Sequence, residues 1–171
     1  MDWNSLINGF RQYISLEKGL SNHTRLAYVS DLRKLEWYFN EQELKLSPID
    51  LKPQNIIDFI IYLNGLGIGE RSQARMLSSI RAFFKYLLIE DLIKVEPTEL
   101  IQGPKLPITY PEVLSVEEVE NFLSVIDLSD PHGHRNRAMF ETLYACGLRV
   151  SEMITLKLAG YFPDIGFVRV I

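Results

Sequence analysis

The chain has 171 residues, 47% of them hydrophobic and 23% charged, and carries a net charge of −4; these proportions exclude a disordered or fibrous protein and leave room for one ordinary domain or two small ones. One cysteine, Cys146, excludes an internal disulfide and reads as a small helix-packing residue, and no Cys or His pair has metal-ligand spacing, so no metal is expected. The N-terminus lacks a basic and apolar leader pattern, and no apolar run approaches the roughly 18 residues of a bilayer span, so a cytoplasmic protein with no membrane partner is expected.

Period 3.6 places four helices in the first hundred residues. Leu6, Phe10, Tyr13 and Ile14 mark the first, up to about Glu17, with Lys18-Gly19 as its stop. The second opens at Ser21 or Asn22, both good caps, and lines up Leu26, Val29, Leu32, Leu35 and Phe39. The third starts at Pro53, acceptable in a first turn, and carries Ile56, Ile57, Phe59, Ile60 and Leu63 before the breaker GLGIG. The fourth, about Glu70 to Glu90, turns Met76, Leu77, Ile80, Phe83, Phe84, Leu87 and Leu88 inward. Four helices of this length make a compact bundle.

From Val95 to Pro111 the chain reads VEPTELIQGPKLPITYP, with four prolines and no helical period. Residues before proline are pushed to extended geometry, so residues 104–111 form a linker and a domain boundary falls near Gly103. Beyond it, Ser115 to Glu118 is a capping box heading a helix through Asp127. Asp130-Pro131 opens the next helix, with Met139, Phe140, Leu143 and Tyr144 in its pattern and Gly147 as a left-handed stop. A last helix runs from about Ser151 to Leu158, carrying Lys157, and the β-rich end from Gly166 to Ile171 is a strand whose partner lies outside the chain.

The net charge argues against a nucleic-acid partner, but the charge is segregated. From Arg71 to Ile89 there are four cations and no acid, whereas Glu112 to Glu120 holds four acids and no cation. On the fourth helix Arg71, Arg75, Ser78, Ala82 and Lys85 share one polar face, with Ser72 and Ser79 on its shoulder. This is either a solvated face or a phosphate-tracking one, in which cations neutralise phosphate charge and hydroxyls donate to its oxygens. Ser21, Asn22, His23, Thr24 and Arg25 give the second helix an acid-free first turn whose free N–H groups suit a phosphate. In YACGLRVSEMITL, Arg149 sits in a tight connection between two largely apolar segments, where a cation needs a partner or a task.

The segments LSNHTRLAYVSDLRKL, ARMLSSIRAFFKYL, PKLPITYPEVLSVEEVENFL and RNRAMFETLYACGLRVSEMITLKL resemble the tyrosine site-specific recombinases of the phage-integrase family, specifically the Xer type. The resemblance implies a mainly α fold: a four-helix, SAM-like core-binding domain over 1–103, then over 112–171 the start of an α+β catalytic domain. In that family the two domains clamp duplex DNA, which sets the second and fourth helices against it. The resemblance makes Arg149 the first catalytic arginine and Glu152 the acid that accompanies it. A guanidinium fork holds the non-bridging oxygens of a phosphodiester under attack, and a carboxylate orients the fork.

The family's hairpin lysine, His-x-x-Arg motif and nucleophilic tyrosine follow that arginine, yet only 22 residues follow Arg149 here. Lys157 falls on a helix, Tyr161 comes too early, and the His132 to Arg135 text match precedes Arg149 and reads as a polar loop. Ala159-Gly160 stands where the resemblance calls for a small residue and an aspartate. The expectation is therefore a chain cut within the catalytic domain that binds DNA and lacks the nucleophile. The resemblance implies strand exchange through a 3′-phosphotyrosine link with no cofactor, in homo- or hetero-tetramers on two duplexes, serving chromosome-dimer resolution or DNA integration. Two other readings stand beside it: a non-enzymatic DNA-binding or regulatory protein, and an all-helical interaction module favoured by the net charge.

Overall fold

Trp3, Leu6, Ile7, Phe10 and Ile14 recur at helical spacing and bury one side of α1 (Trp3–Leu16). The computed structural model describes residues 2–16, 18–107 and 110–170, so Glu17, the expected end of this helix, lies outside the described residues. Gly19, at φ 57°, then turns the chain, a conformation that costs glycine nothing. α2 (Asn22–Glu41) starts where Ser21 caps it, its side chain accepting from the Thr24 N–H at 3.2 Å. α3 (Pro53–Gly65) starts with proline in its first turn, the Asn55 side chain accepting from the Lys52 N–H at 2.9 Å. α4 (Glu70–Ile89) follows directly.

The chain divides into two units, residues 1–108 and 109–171. In the first, α1, α2 and α3 all pack on α4. Phe10, Phe39, Phe59, Phe83 and Phe84 fill the centre, with Phe83 edge-on to Phe10 at 5.5 Å between ring centroids. The expected inward sides hold except near their ends, where Leu26 and Leu88 are exposed. Proline-rich chain beyond α4 still belongs to this unit, since Thr98 is buried, Ile101 packs on the core and Arg81 donates to the Ile101 carbonyl.

The second unit holds α5 (Val116–Ser124), α6 (Gly133–Cys146), α7 (Val150–Ile154) and a hairpin of β1 (Tyr161–Phe162) with β2 (Phe167–Val168). The Ser115 and Glu118 capping box is present, at 3.2 and 2.8 Å. α5 stops three residues before Asp127, whose carboxylate accepts from the Ser129 N–H and hydroxyl at 2.8 and 2.7 Å; such a local bond competes with the helix. Likewise Asp130 accepts from the His132 N–H at 2.7 Å, and α6 opens only at Gly133.

α7 ends at Ile154, short of the expected Leu158, so Lys157 lies beyond the helix as the residue leading into a 3-10 turn at Leu158–Gly160. The strand reading is also corrected. β2 pairs antiparallel with Tyr161–Phe162 of this same chain, Tyr161 opposite Val168 and Phe162 opposite Phe167, while Ile171 lies outside the described residues. The Phe162 and Phe167 rings stack at 4.6 Å across the pair. Below the hairpin the Arg169 N–H donates to the Gly160 carbonyl at 2.8 Å, and a Cβ at Gly160 would stand 2.7 Å from the Arg169 carbonyl oxygen. That contact explains the glycine in the Ala159-Gly160 pair.

Cys146 is exposed and not a packing residue, and Tyr144 is exposed as well. Both follow from the sparse burial of this unit, in which Val119 is the one large apolar side chain buried among the described residues.

Phe83→Ala removes a fully buried ring from the centre of the first unit. Urea unfolding of the variant is expected to show a loss of about 3 to 5 kcal/mol.

Candidate functional site

The first unit offers a cationic helix face. On α4, Arg71, Ser72, Arg75, Ser78 and Lys85 are all exposed, opposite a stripe from Met76 to Leu87 that is buried. Arg71 and Lys85 have no ion pair among the described residues, so their charge is free to meet an external anion. The Ser78 hydroxyl donates back to the Ala74 carbonyl at 2.9 Å and keeps its lone pairs outward.

Ser79 departs from the expected face. It is 0% exposed and donates to Asp31 Oδ2 at 2.8 Å and to the Arg75 carbonyl at 3.2 Å, so it faces α2 and cannot reach a phosphate. Asp31, which sequence reasoning passed over, is likewise 0% exposed, and it accepts from Arg75 Nη1 as well. Its signal was present: an acid four residues before Leu35 and three after Tyr28 sits in the apolar stripe of α2, where a carboxylate needs donors from a facing helix.

At the start of α2, Ser21, Asn22 and His23 are exposed, with Thr24 and Arg25 half-buried. Ser21 and Thr24 hydroxyls share a bond of 2.9 Å, so this turn is capped internally. Arg25 folds back on α1, donating to the Ser15 hydroxyl and at 3.4 Å to the Asn22 side chain. It lines a groove of about 570 Å³ together with Arg11, Asn8, Gln12 and Asn22, with no acid among the lining residues.

The second unit carries Arg149. Gly147 takes φ 61°, ending α6 with the Leu148 N–H donating to the Leu143 carbonyl at 3.2 Å, and this left-handed step brings Arg149 to the N-cap of α7. Glu152, one turn on, accepts twice from Arg149: from its backbone N–H at 2.7 Å and from Nη1 at 2.8 Å. The carboxylate therefore fixes both ends of the same residue. Arg149 is 82% exposed, so the expectation that a poorly solvated cation required a partner is replaced by a solvated cation held in one orientation. The other donors of the fork make no hydrogen bond among the described residues. His132, His134 and Arg135 are exposed around the start of α6, as a polar loop and helix entry.

Glu152 is held below the ordinary carboxylate range, first by the Arg149 N–H, then by the guanidinium bond and charge. An anion-ready guanidinium on a pinned helix start and a helix face of free cations are both arrangements that bind phosphate oxygens.

Residues 7–91 match the model of the phage integrase N-terminal SAM-like domain, and residues 112–170 match the phage integrase family. Among curated proteins the chain is similar to tyrosine recombinase XerD of Pseudomonas putida, at 42% identity over 90% of this chain and 51% of that protein. It is also similar to XerD of Listeria innocua, at 37% identity over 98% of this chain and 57% of that protein. The chain thus spans about half the length of the curated relatives it matches. In fold it resembles the Tn1549 transposon integrase (aa 82-397), solved in complex with circular intermediate DNA, with a TM-score of 0.64 at 19% identity, over 92% of this chain and 50% of that one. The integrase of mycobacterium phage Brujita gives 0.56 at 22% identity, over 86% and 47%.

A folded-state pKa below the unfolded one adds stability above the ordinary glutamate value of about 4.3, lost as pH falls through the lowered value. NMR titration is expected to show Glu152 titrating below that value. In Arg149→Ala it should return only part of the way, because the backbone donor remains.

Proposed function

The chain belongs to the phage integrase family, and from that premise we propose that it is the DNA-binding domain and opening catalytic segment of a Xer-type tyrosine recombinase. The observation that carries this reading is the Arg149 guanidinium, exposed to solvent yet held by Glu152 through bonds of 2.7 and 2.8 Å to its backbone and Nη1. In the reaction that the family resemblance implies, a tyrosine oxygen attacks the scissile phosphorus, a P–O bond to tyrosine forms, and the bond to the 5′ oxygen breaks. That oxygen leaves as a hydroxyl once protonated, and the 3′ end stays on the tyrosine. Charge grows on the non-bridging oxygens as this happens, and Arg149 is the donor set to receive it. Glu152 keeps the fork from reorganising at that moment.

In the first unit the α4 face supplies the sequence-independent part of duplex binding through Arg71, Arg75 and Lys85, with Ser72 and Ser78 as hydroxyl donors. The first turn of α2, Ser21 to Arg25, contributes as well, through exposed Ser21, Asn22 and His23 and half-buried Thr24 and Arg25. The second unit leaves Val113, Val125, Leu158 and Ile165 exposed, together with a groove of about 530 Å³ lined by Thr142, Ala145, Cys146, Leu156 and Tyr161. Further catalytic-domain protein covers this surface in the active recombinase, which works as a tetramer on two duplexes in dimer resolution or integration. The 171 residues bind duplex DNA and do not cut it, because the nucleophilic tyrosine is not among them.

Binding to a duplex of about 30 base pairs should weaken with salt, with a log-log slope near −2 if the two unpaired α4 cations, Arg71 and Lys85, each neutralise one phosphate. Lys85→Gln should make the slope shallower by about one. Absence of binding at low salt would overturn the reading. In the full-length recombinase, Arg149→Ala should slow strand cleavage by about 10² to 10³ while duplex affinity stays near the parent value.

A further inference from the structure

Asp31 is a costly side chain to bury in the first unit. It is fully buried, its Oδ2 accepts from Arg75 Nη1 and the Ser79 hydroxyl, and its Oδ1 has no hydrogen bond, with Lys34 Nζ 3.9 Å away. A buried carboxylate with one oxygen unbonded is a poor way to join two helices, since an apolar pair of the same volume does so as well or better. Its distinctive effect is on Arg75. That side chain is 44% exposed, and only Nη1 is tied down within the chain among the described residues. Left alone, an arginine on a helix surface samples many rotamers and loses that freedom on binding a phosphate.

We propose that Asp31 is a positioning residue for duplex binding: anchored by Ser79, it fixes the Arg75 guanidinium so that Nε and Nη2 point outward as a preformed fork for one phosphate. This rests on the reading of α4 as a DNA face. It gives the buried Ser79 a place in that face at one remove, through the carboxylate it holds. The charge balance is consistent: the Asp31 carboxylate is shielded from solvent, and the outward surface of α4 remains cationic through Arg71 and Lys85.

The test is a double-mutant cycle on binding to a 30-base-pair duplex at low salt. Asp31→Asn is expected to weaken binding about tenfold, the low end of what orienting partners carry elsewhere. Arg75→Gln should weaken it by at least as much, and the double variant should bind no more weakly than Arg75→Gln alone. A merely structural Asp31 would cost the same in both backgrounds, and that result, or wild-type affinity in Asp31→Asn, overturns the proposal. If Asp31→Asn fails to fold by circular dichroism, Ser79→Ala takes its place: its loss of affinity must vanish in the Arg75→Gln background. Failure of the unmodified chain to bind duplex would instead strike at the DNA reading itself.

Discussion

Burial of one side of α4 is the constraint on which the first unit depends. α1, α2 and α3 each pack on this helix, and Met76, Leu77, Ile80, Phe83, Phe84 and Leu87 are its contribution to the core. A helix with so continuous an apolar stripe has no rotational freedom, because turning it by one residue would expose rings and bury guanidinium groups. The direction in which Arg71, Arg75 and Lys85 point is thus settled by the phenylalanines behind them. A recognition surface on such a helix is as rigid as the core beneath it.

The second unit works with less. Its geometry comes from caps and turns rather than from a core: a capping box at Ser115, a left-handed glycine at 147, and a carboxylate that bridges the first turn of α7. Local bonds of this kind fix individual side chains well while leaving apolar surface uncovered. They are enough to set Arg149 against Glu152, three residues apart on the chain. The net negative charge misleads here for a related reason: the acids of α5 and the cations of α4 belong to different units, and the total averages over both.

Legibility followed sequence separation. The starts of α2, α3 and α5 and the end of α6 could be read from Ser21, Pro53, Ser115 and Gly147, since a cap acts within four residues. The Arg149 and Glu152 pair was legible for the same reason, once the resemblance pointed to it. Ser79 was misplaced because helical projection puts it on the edge of the polar face, and only the approach of Asp31, 48 positions away, turns that edge inward. The reach of α5 and α7 was overstated where Asp127 makes its own turn and where the Thr155 hydroxyl bonds back to the Ser151 carbonyl at 2.8 Å. Two-residue strands have no period to read, so β1 has no signal in the sequence and β2 reads there as a strand without a partner.

The hairpin at Tyr161–Phe162 and Phe167–Val168 has a consequence for handling the protein. Among the described residues each strand has a neighbour on one side only, and the free edges lie beside exposed Tyr161, Ile165 and Phe167. Among the described residues neither strand carries a lysine, and a length of two residues each is the device left to them against adding another chain. These edges invite sheet growth between molecules as concentration rises. For these 171 residues, a rise of light scattering with concentration should therefore trace first to this short ladder and its exposed rings.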